Sequence, residues 1–220
     1  MKIGLLGGTF NPIHNCHLSI AEETRKRLSL DRVIFIPSHI PPHKIDQEVI
    51  AARHRYEMVR LAIQPYPAFE VSDLEIKRPG PSYSVDTVQS LRGLLGVKTE
   101  IFFILGLDAF LSIGSWKSTG TLLTLCAFVV ISRPGSRCSD LARLSWCQHL
   151  DRKMLSSLDR GDLDQGVGTL SSGTAIHLLR LPPCEISSTG IVERLKAKKD
   201  VKNLLPASVE SYIMAHSLYR

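Results

Sequence analysis

The sequence predicts an α/β fold: a doubly wound parallel sheet with helices on both faces. Three observations predict it. KIGLL, RVIFIP, EIFFIL and AFVVIS are short apolar runs without polar alternation, the pattern of strands buried on both faces. Helical stretches separate most of them, which is the alternation of βαβ units. The chemistry-rich segments GGTFNPIH, PSHIPPHK, GLD and SRPG directly follow those runs, where parallel sheets bind ligands.

The elements follow in order. KIGLL is the first strand, and after a Gly-rich turn a helix runs from about 16 to 28 with Leu18, Ile20, Ala21 and Leu28 on its inner face. RVIFIP is the second strand, ended by Pro37; SHIPPHK is a loop by its prolines, and a helix covers about 51–63. FEVSDLEI is expected as the third strand, and PSYSVDTVQSLRGLLG as a capped helix closed by Gly96. EIFFIL and AFVVIS are the next two strands. Residues 136–175 are polar and weakly periodic and receive no assignment. AIHLLRL is expected as the last strand, with helices at about 188–198 and 207–217. There is no internal repeat and no low-complexity linker. One domain over 1–220 is therefore expected, its last part (188–220) helical.

Composition excludes several classes. With 44% hydrophobic residues and 12 prolines the chain is neither disordered nor fibrous. The longest apolar run, TLLTLCAFVVIS, is well short of the ~20 residues of a membrane span. Residues 3–6 are too few for a signal peptide. A cytoplasmic protein without a membrane partner is expected. The 27 Lys and Arg against 21 Asp and Glu give a net charge of +6, which suits polyanionic partners. The positive residues are scattered, however. The densest run, 194–202, is broken by Leu195, Ala197, Asp200 and Val201, as on a solvated helix face. Small phosphorylated substrates, not nucleic acid, are the expected partners, and self-association into a homo-oligomer stays open. Five cysteines (16, 126, 138, 147 and 184) include no Cys-x-x-Cys and no zinc-type His/Cys spacing, so reduced thiols are expected.

The stretch GGTFNPIHNCH, residues 7–17, has two readings: a plain tight turn, or a cradle for nucleotide phosphates. Gly7 and Gly8 allow a sharp turn and close approach of a ligand to the backbone. Thr9 adds a hydroxyl and an N–H. The helix start behind it offers unpaired N–H groups and the positive end of the helix dipole. His14 and His17, three apart, share one face there. No Gly-Lys-Ser/Thr and no Gly-x-Gly-x-x-Gly follows, so neither a Walker loop nor a dinucleotide fingerprint is present.

GGTFNPIHNCH resembles the His-x-Gly-His signature of the nucleotidyltransferase superfamily. IPSHIPPHK, PSYSVDT, FILGLDAF, SW, SRPG, ISSTGI and LLPASVESYI follow in the order of the bacterial nicotinate-nucleotide adenylyltransferases. The resemblance spans nearly the whole chain, with 136–175 its weak stretch. It implies a Rossmann-like fold and transfer of the adenylyl group of ATP to nicotinate mononucleotide, giving deamido-NAD and pyrophosphate. Mg2+ would be held mainly by the ATP phosphates and water, with no protein metal ligand.

Carried onto this chain, the resemblance implies catalytic roles for His14, His17 and Lys44. ATP would meet Gly8, Thr9 and Phe10 at the cradle, Gly106 and Asp108 after the EIFFIL strand, and Ser187, Ser188 and Arg194 near the C-terminus. The mononucleotide would meet Thr9, Tyr83, Ser84, Trp116, Lys117 and Arg133. Trp116 would stack on the pyridine ring, backbone N–H groups at Tyr83 and Ser84 would receive the nicotinate carboxylate, and Arg133 would pair with the phosphate. Three positions depart from the family pattern. Asn11 stands where Asp is usual, Cys16 replaces the signature glycine, and Val192 stands where an arginine is expected. A thiol at a helix start beside phosphates is expected to have a lowered pKa and to crowd the cradle. The alternatives are the same fold acting on nicotinamide mononucleotide, or a nucleotide-binding protein with weakened catalysis. Phosphopantetheine fits less well, having no pyridine ring for Trp116.

Overall fold

The computed structural model describes residues 1–41, 49–132 and 135–220. Among these, seven strands form one sheet: β1 (Lys2–Gly8), β2 (Arg32–Pro37), β3 (Phe69–Val71), β4 (Glu100–Gly106), β5 (Ala127–Ile131), β6 (Gln165–Thr169) and β7 (Ala175–Leu179). Their order is β3-β2-β1-β4-β5-β7-β6, and every pairing is parallel except β6 against β7. From β1 the chain moves outward to β2 and β3, then returns to lay β4 on the other side of β1. That reversal is the topological switch point, where the carboxyl ends of open α/β sheets leave a crevice.

The helices are α1 (Asn15–Arg27), α2 (Ala52–Ile63), α3 (Leu74–Lys77), α4 (Ser84–Leu95), α5 (Leu107–Leu111), α6 (Thr119–Leu125), α7 (Arg152–Arg160), α8 (Ser188–Lys196) and α9 (Ala207–Ala215). Side chains alternate across the strands, so the central strands feed two cores. Ile3, Leu5, Phe103 and Leu105 belong to one, with Val88 of α4, Phe110 of α5, Leu122 of α6 and Leu155 of α7. Leu6, Phe102 and Ile104 belong to the other, with Leu18 of α1, Met58 of α2, Ile191 of α8 and Ile213 of α9. This is the doubly wound arrangement expected.

One expected strand needs correction, and the stretch without an assignment has regular structure. FEVSDLEI is not a strand throughout: β3 ends at Val71 and residues 74–77 turn into α3. The Ser72 N–H still donates to Phe35 O (2.9 Å), but the Ser72 hydroxyl accepts from the Leu74 N–H (3.3 Å) and so starts a turn. The unassigned stretch 136–175 contains two 3-10 turns (Cys138–Arg143 and Ser145–Cys147), then α7 and β6. β6 pairs back on β7 as an antiparallel edge, and a Cβ on its Gly168 would run into Leu150.

Candidate active site

A cleft of about 440 Å³ opens at the carboxyl ends of β1 and β4. It brings together nine predicted residues: Gly8, Thr9, His17, Tyr83, Ser84, Gly106, Asp108, Trp116 and Lys117. The nine come from four separate segments of the sequence (8–17, 83–84, 106–108 and 116–117), joined here because β1 and β4 are adjacent and α1 and α4 start beside them.

The turn after β1 is built differently from the expected glycine turn. Gly7 and Gly8 are both strand residues, and the left-handed residue is Phe10, with φ 48°. A Cβ on Gly8 would stand 3.0 Å from the Phe10 ring, so the ring would have to give way to any larger residue there. Phe10 itself is buried and meets the ring of His17 edge-on, with centroids 5.1 Å apart.

His14 is the N-cap of α1 and His17 lies three residues on. Their rings stack with centroids 3.7 Å apart. The backbone N–H of His14 donates to Nδ1 of His17 at 3.2 Å. Nδ1 is therefore the acceptor nitrogen, and the neutral ring carries its hydrogen on Nε2. His17 lines the cleft; His14, 5% exposed, lies behind it as the stacking partner.

Arg55, which sequence reasoning missed, holds this region from below. It is 1% exposed, and its guanidinium donates to Thr9 O (2.7 Å), His39 O (3.0 Å) and Ile50 O (3.0 Å). Burial lowers its pKa to about 10, so the charge persists at neutral pH. A signal was available: positions 55, 58, 59 and 62 share one helical face, and the other three are apolar core residues. Asn11 accepts from the Ile50 N–H (3.3 Å) and the Tyr219 hydroxyl (2.9 Å), so its amide oxygen ties the turn to the end of the chain.

On the opposite side Tyr83 is the N-cap of α4. Lys117 is ion-paired with Asp86 (2.9 Å) and stands 4.8 Å above the Tyr83 ring. Trp116 is half-buried and edge-on to Phe103, which also lines the cleft. Glu75, another residue missed, lines the cleft at 7% exposure and accepts from the Thr87 hydroxyl at 2.6 Å. It was hidden by the reading of 69–76 as a strand.

Comparison with known proteins bears on this geometry. The cytidylyltransferase-like family model matches residues 5–194. A "Probable nicotinate-nucleotide adenylyltransferase" of Geotalea daltonii is 43% identical over the whole of this chain and 98% of its own. Another, from Thermoanaerobacter sp., is 38% identical over the whole of this chain and 95% of its own. This chain belongs to the nicotinate-nucleotide adenylyltransferase family. Its fold is also that of Plasmodium falciparum nicotinic acid mononucleotide adenylyltransferase complexed with NaAD, with a TM-score of 0.73 at 19% identity over 99% of this chain and 97% of that one.

Other residues implied by the adenylyltransferase pattern lie outside the cleft lining. Ser187 caps α8, accepting from the Gly190 N–H at 3.1 Å. The Ser188 hydroxyl donates to Pro12 O at 2.9 Å, which seats this turn against the cradle. Arg194 donates to Asp200 O at 2.8 Å, in the loop after α8, and Val192 packs with the helices of that face. Lys44 and Arg133 lie outside the described residues. No helix among the described residues is long and apolar enough to cross a membrane.

The expectation of reduced thiols throughout is overturned. Cys16 is bonded to Cys184, with Cα atoms 5.9 Å apart, so it carries no reactive thiol beside the cradle and does not line the cleft. Cys126, Cys138 and Cys147 are free and buried. Burial pushes Cys126 and Cys147 up to about 12 and Cys138 to about 11, far from thiolate chemistry.

Proposed function

We propose that this chain transfers the adenylyl group of ATP to nicotinate mononucleotide, forming deamido-NAD and pyrophosphate. A phosphate oxygen of the mononucleotide bonds to the α-phosphorus while the bond from that phosphorus to the bridging oxygen of pyrophosphate breaks. The attacking phosphate is largely dianionic at neutral pH, so neither a general base nor a covalent intermediate is needed. Alignment and charge stabilisation are the work left to the protein.

The observation that carries this reading is the His17 ring. Its Nδ1 accepts from the His14 N–H, so the neutral ring carries hydrogen on Nε2, and the ring lines the cleft at the positive end of α1, beside Gly8 and Thr9. A donor there suits the α-phosphate as its charge shifts. Asp108, exposed in the first turn of α5, is suited to accept from ribose hydroxyls. Trp116 with the N–H groups at Tyr83 and Ser84 suits a flat ring bearing a carboxylate. By the family pattern, Lys44 would supply positive charge to the triphosphate and Arg133 to the mononucleotide phosphate.

Mg2+ fits the donor set when carried by ATP. Glu75 is engaged by Thr87 and Asp108 is taken by the ribose in this reading, so Mg2+ would be held mainly by phosphate and water ligands, which it commonly keeps. Bound there, it would draw charge from the triphosphate and the leaving pyrophosphate.

The test is a comparison of the acid and amide mononucleotides with ATP. Backbone donors suit a carboxylate, which only accepts, better than a carboxamide, whose NH₂ would face some of them. The acid should be preferred in kcat/KM by at least ~10-fold, or ~1.4 kcal/mol. Equal values would transfer the reading to the amide, and absence of pyrophosphate with either would overturn it.

A further inference from the structure

The Cys16–Cys184 bond joins two segments that the proposed reaction needs in register. Cys16 is the second residue of α1, between His14 and His17. Cys184 stands three residues before Ser187, the N-cap of α8. The pair is 168 residues apart in sequence, and residues 180–187 belong to no helix or strand. The Ser188 hydroxyl on Pro12 O is a second tie between the same segments.

The bond is placed to position and not to block. Cys16 is 4% exposed, and neither half-cystine lines the cleft. Cys184 is exposed, so a small thiol can reach its sulfur. The three remaining cysteines are all buried, which confines exchange chemistry to this pair.

We propose that Cys16–Cys184 is a reversible redox site whose ligands are low-molecular-weight thiols and disulfides, and that its closure tightens the hold of the cleft on the triphosphate. This rests on the adenylyl-transfer reading above. Closed, the bond pins the turn at Ser187 and Ser188 to the helix start that carries His14 and His17. Open, the segment before α8 keeps weaker ties and must be ordered when ATP binds, a cost that appears in binding. Opening begins with attack of a reductant thiolate on the Cys184 sulfur. The Cys16–Cys184 S–S bond breaks, Cys16 leaves as a thiolate and takes a proton, and a mixed disulfide remains on Cys184. A second reductant thiolate attacks the reductant sulfur of that mixed disulfide, releasing Cys184, which is protonated in turn. Two electrons pass from two thiols to the protein, and the reductant leaves as its disulfide. Closure is the reverse, with a low-molecular-weight disulfide as oxidant.

The test uses the full chain equilibrated with either oxidised glutathione or dithiothreitol, each state verified by alkylation and intact mass. Reduction should add two alkylated sites, raise the KM for ATP by about 3- to 10-fold with kcat nearly unchanged, and speed amide hydrogen exchange at residues 185–190. Cys184→Ser should behave as the reduced form under both conditions. A KM and an exchange pattern indifferent to the state of the bond would overturn the proposal, as would alkylation of both cysteines after oxidation. If neither state forms deamido-NAD, the adenylyl-transfer reading fails alone. Exchange at 185–190 and the affinity for a non-hydrolysable ATP analogue then still decide whether the bond governs the turn.

Discussion

At the start of α1, the backbone N–H of His14 occupies Nδ1 of His17, and this contact decides which ring nitrogen carries hydrogen toward the cleft. Stacking on His14 and the edge of Phe10 fix the plane of the ring. A preorganised donor at developing charge is worth ~10²–10³ in rate, so His17→Ala should lower kcat by about that factor. Stability should fall by about 1 kcal/mol as well, because the His14 N–H at the N-cap loses its acceptor and two ring contacts are removed. Steady-state pyrophosphate release measures the rate; turnover within a few-fold of wild type would remove His17 from the mechanism. The pair of histidines and their spacing were readable from sequence. The tautomer was not, because it depends on how the backbone arrives at the N-cap. Cys16 was equally visible as a departure from the family pattern, yet nothing in spacing linked it to Cys184, 168 residues away.

At the scale of elements, α2 does more than cover the sheet. Through Arg55 it binds the carbonyls of Thr9 after β1, His39 after β2, and Ile50 before α2 itself. Three backbone acceptors from three segments thus converge on one buried cation. Arg55→Met would leave them without their donor in a closed space. It should cost about 3–5 kcal/mol, the scale of breaking a buried charged network. It should also raise the KM for ATP by loosening Thr9. Arg55→Lys keeps the charge but lacks the planar fork, and should recover only part of either loss. Urea unfolding and steady-state kinetics run in parallel check this; an unchanged midpoint in Arg55→Met would show that the three carbonyls find other donors. Elements were legible where one signal dominated. Continuous apolar runs marked β1, β2, β4 and β5, and Gly96 with φ 80° closed α4 where expected. β3 was overextended because three paired residues at a sheet edge leave little pattern. α7 was missed although Asp151 caps it and Gly161 ends it, since Leu155 and Leu158 are its only buried residues.

For the whole molecule, the two cores meet across a single sheet, and ionisable groups caught beside them make stability depend on pH. His177 on β7 sits against Phe102, ring centroids 5.6 Å apart; burial first and Lys2 second hold its pKa below the usual imidazole value. His54 on α2 contacts Tyr212 (2.9 Å) and faces His216 across α9. Burial, then Arg53 and His216, lower its pKa as well. Both groups therefore bind fewer protons in the native than in the unfolded chain at pH values below ~6.5, the ordinary imidazole pKa. Unfolding takes up protons there, so stability rises with pH through that window and is lost as pH falls. The carboxylates whose pKa values are lowered, Glu22 and Glu57, act only at more acidic pH and are partly solvent-screened. The urea midpoint should accordingly be level between pH 7 and 8 and decline from about pH 6.5 toward 5. In the double variant His54→Gln, His177→Gln the decline should flatten, even though loss of the Tyr212 contact lowers the midpoint at every pH. The slope and not the level is the diagnostic quantity, and a slope as steep in the double variant as in wild type would assign the acid sensitivity to other groups.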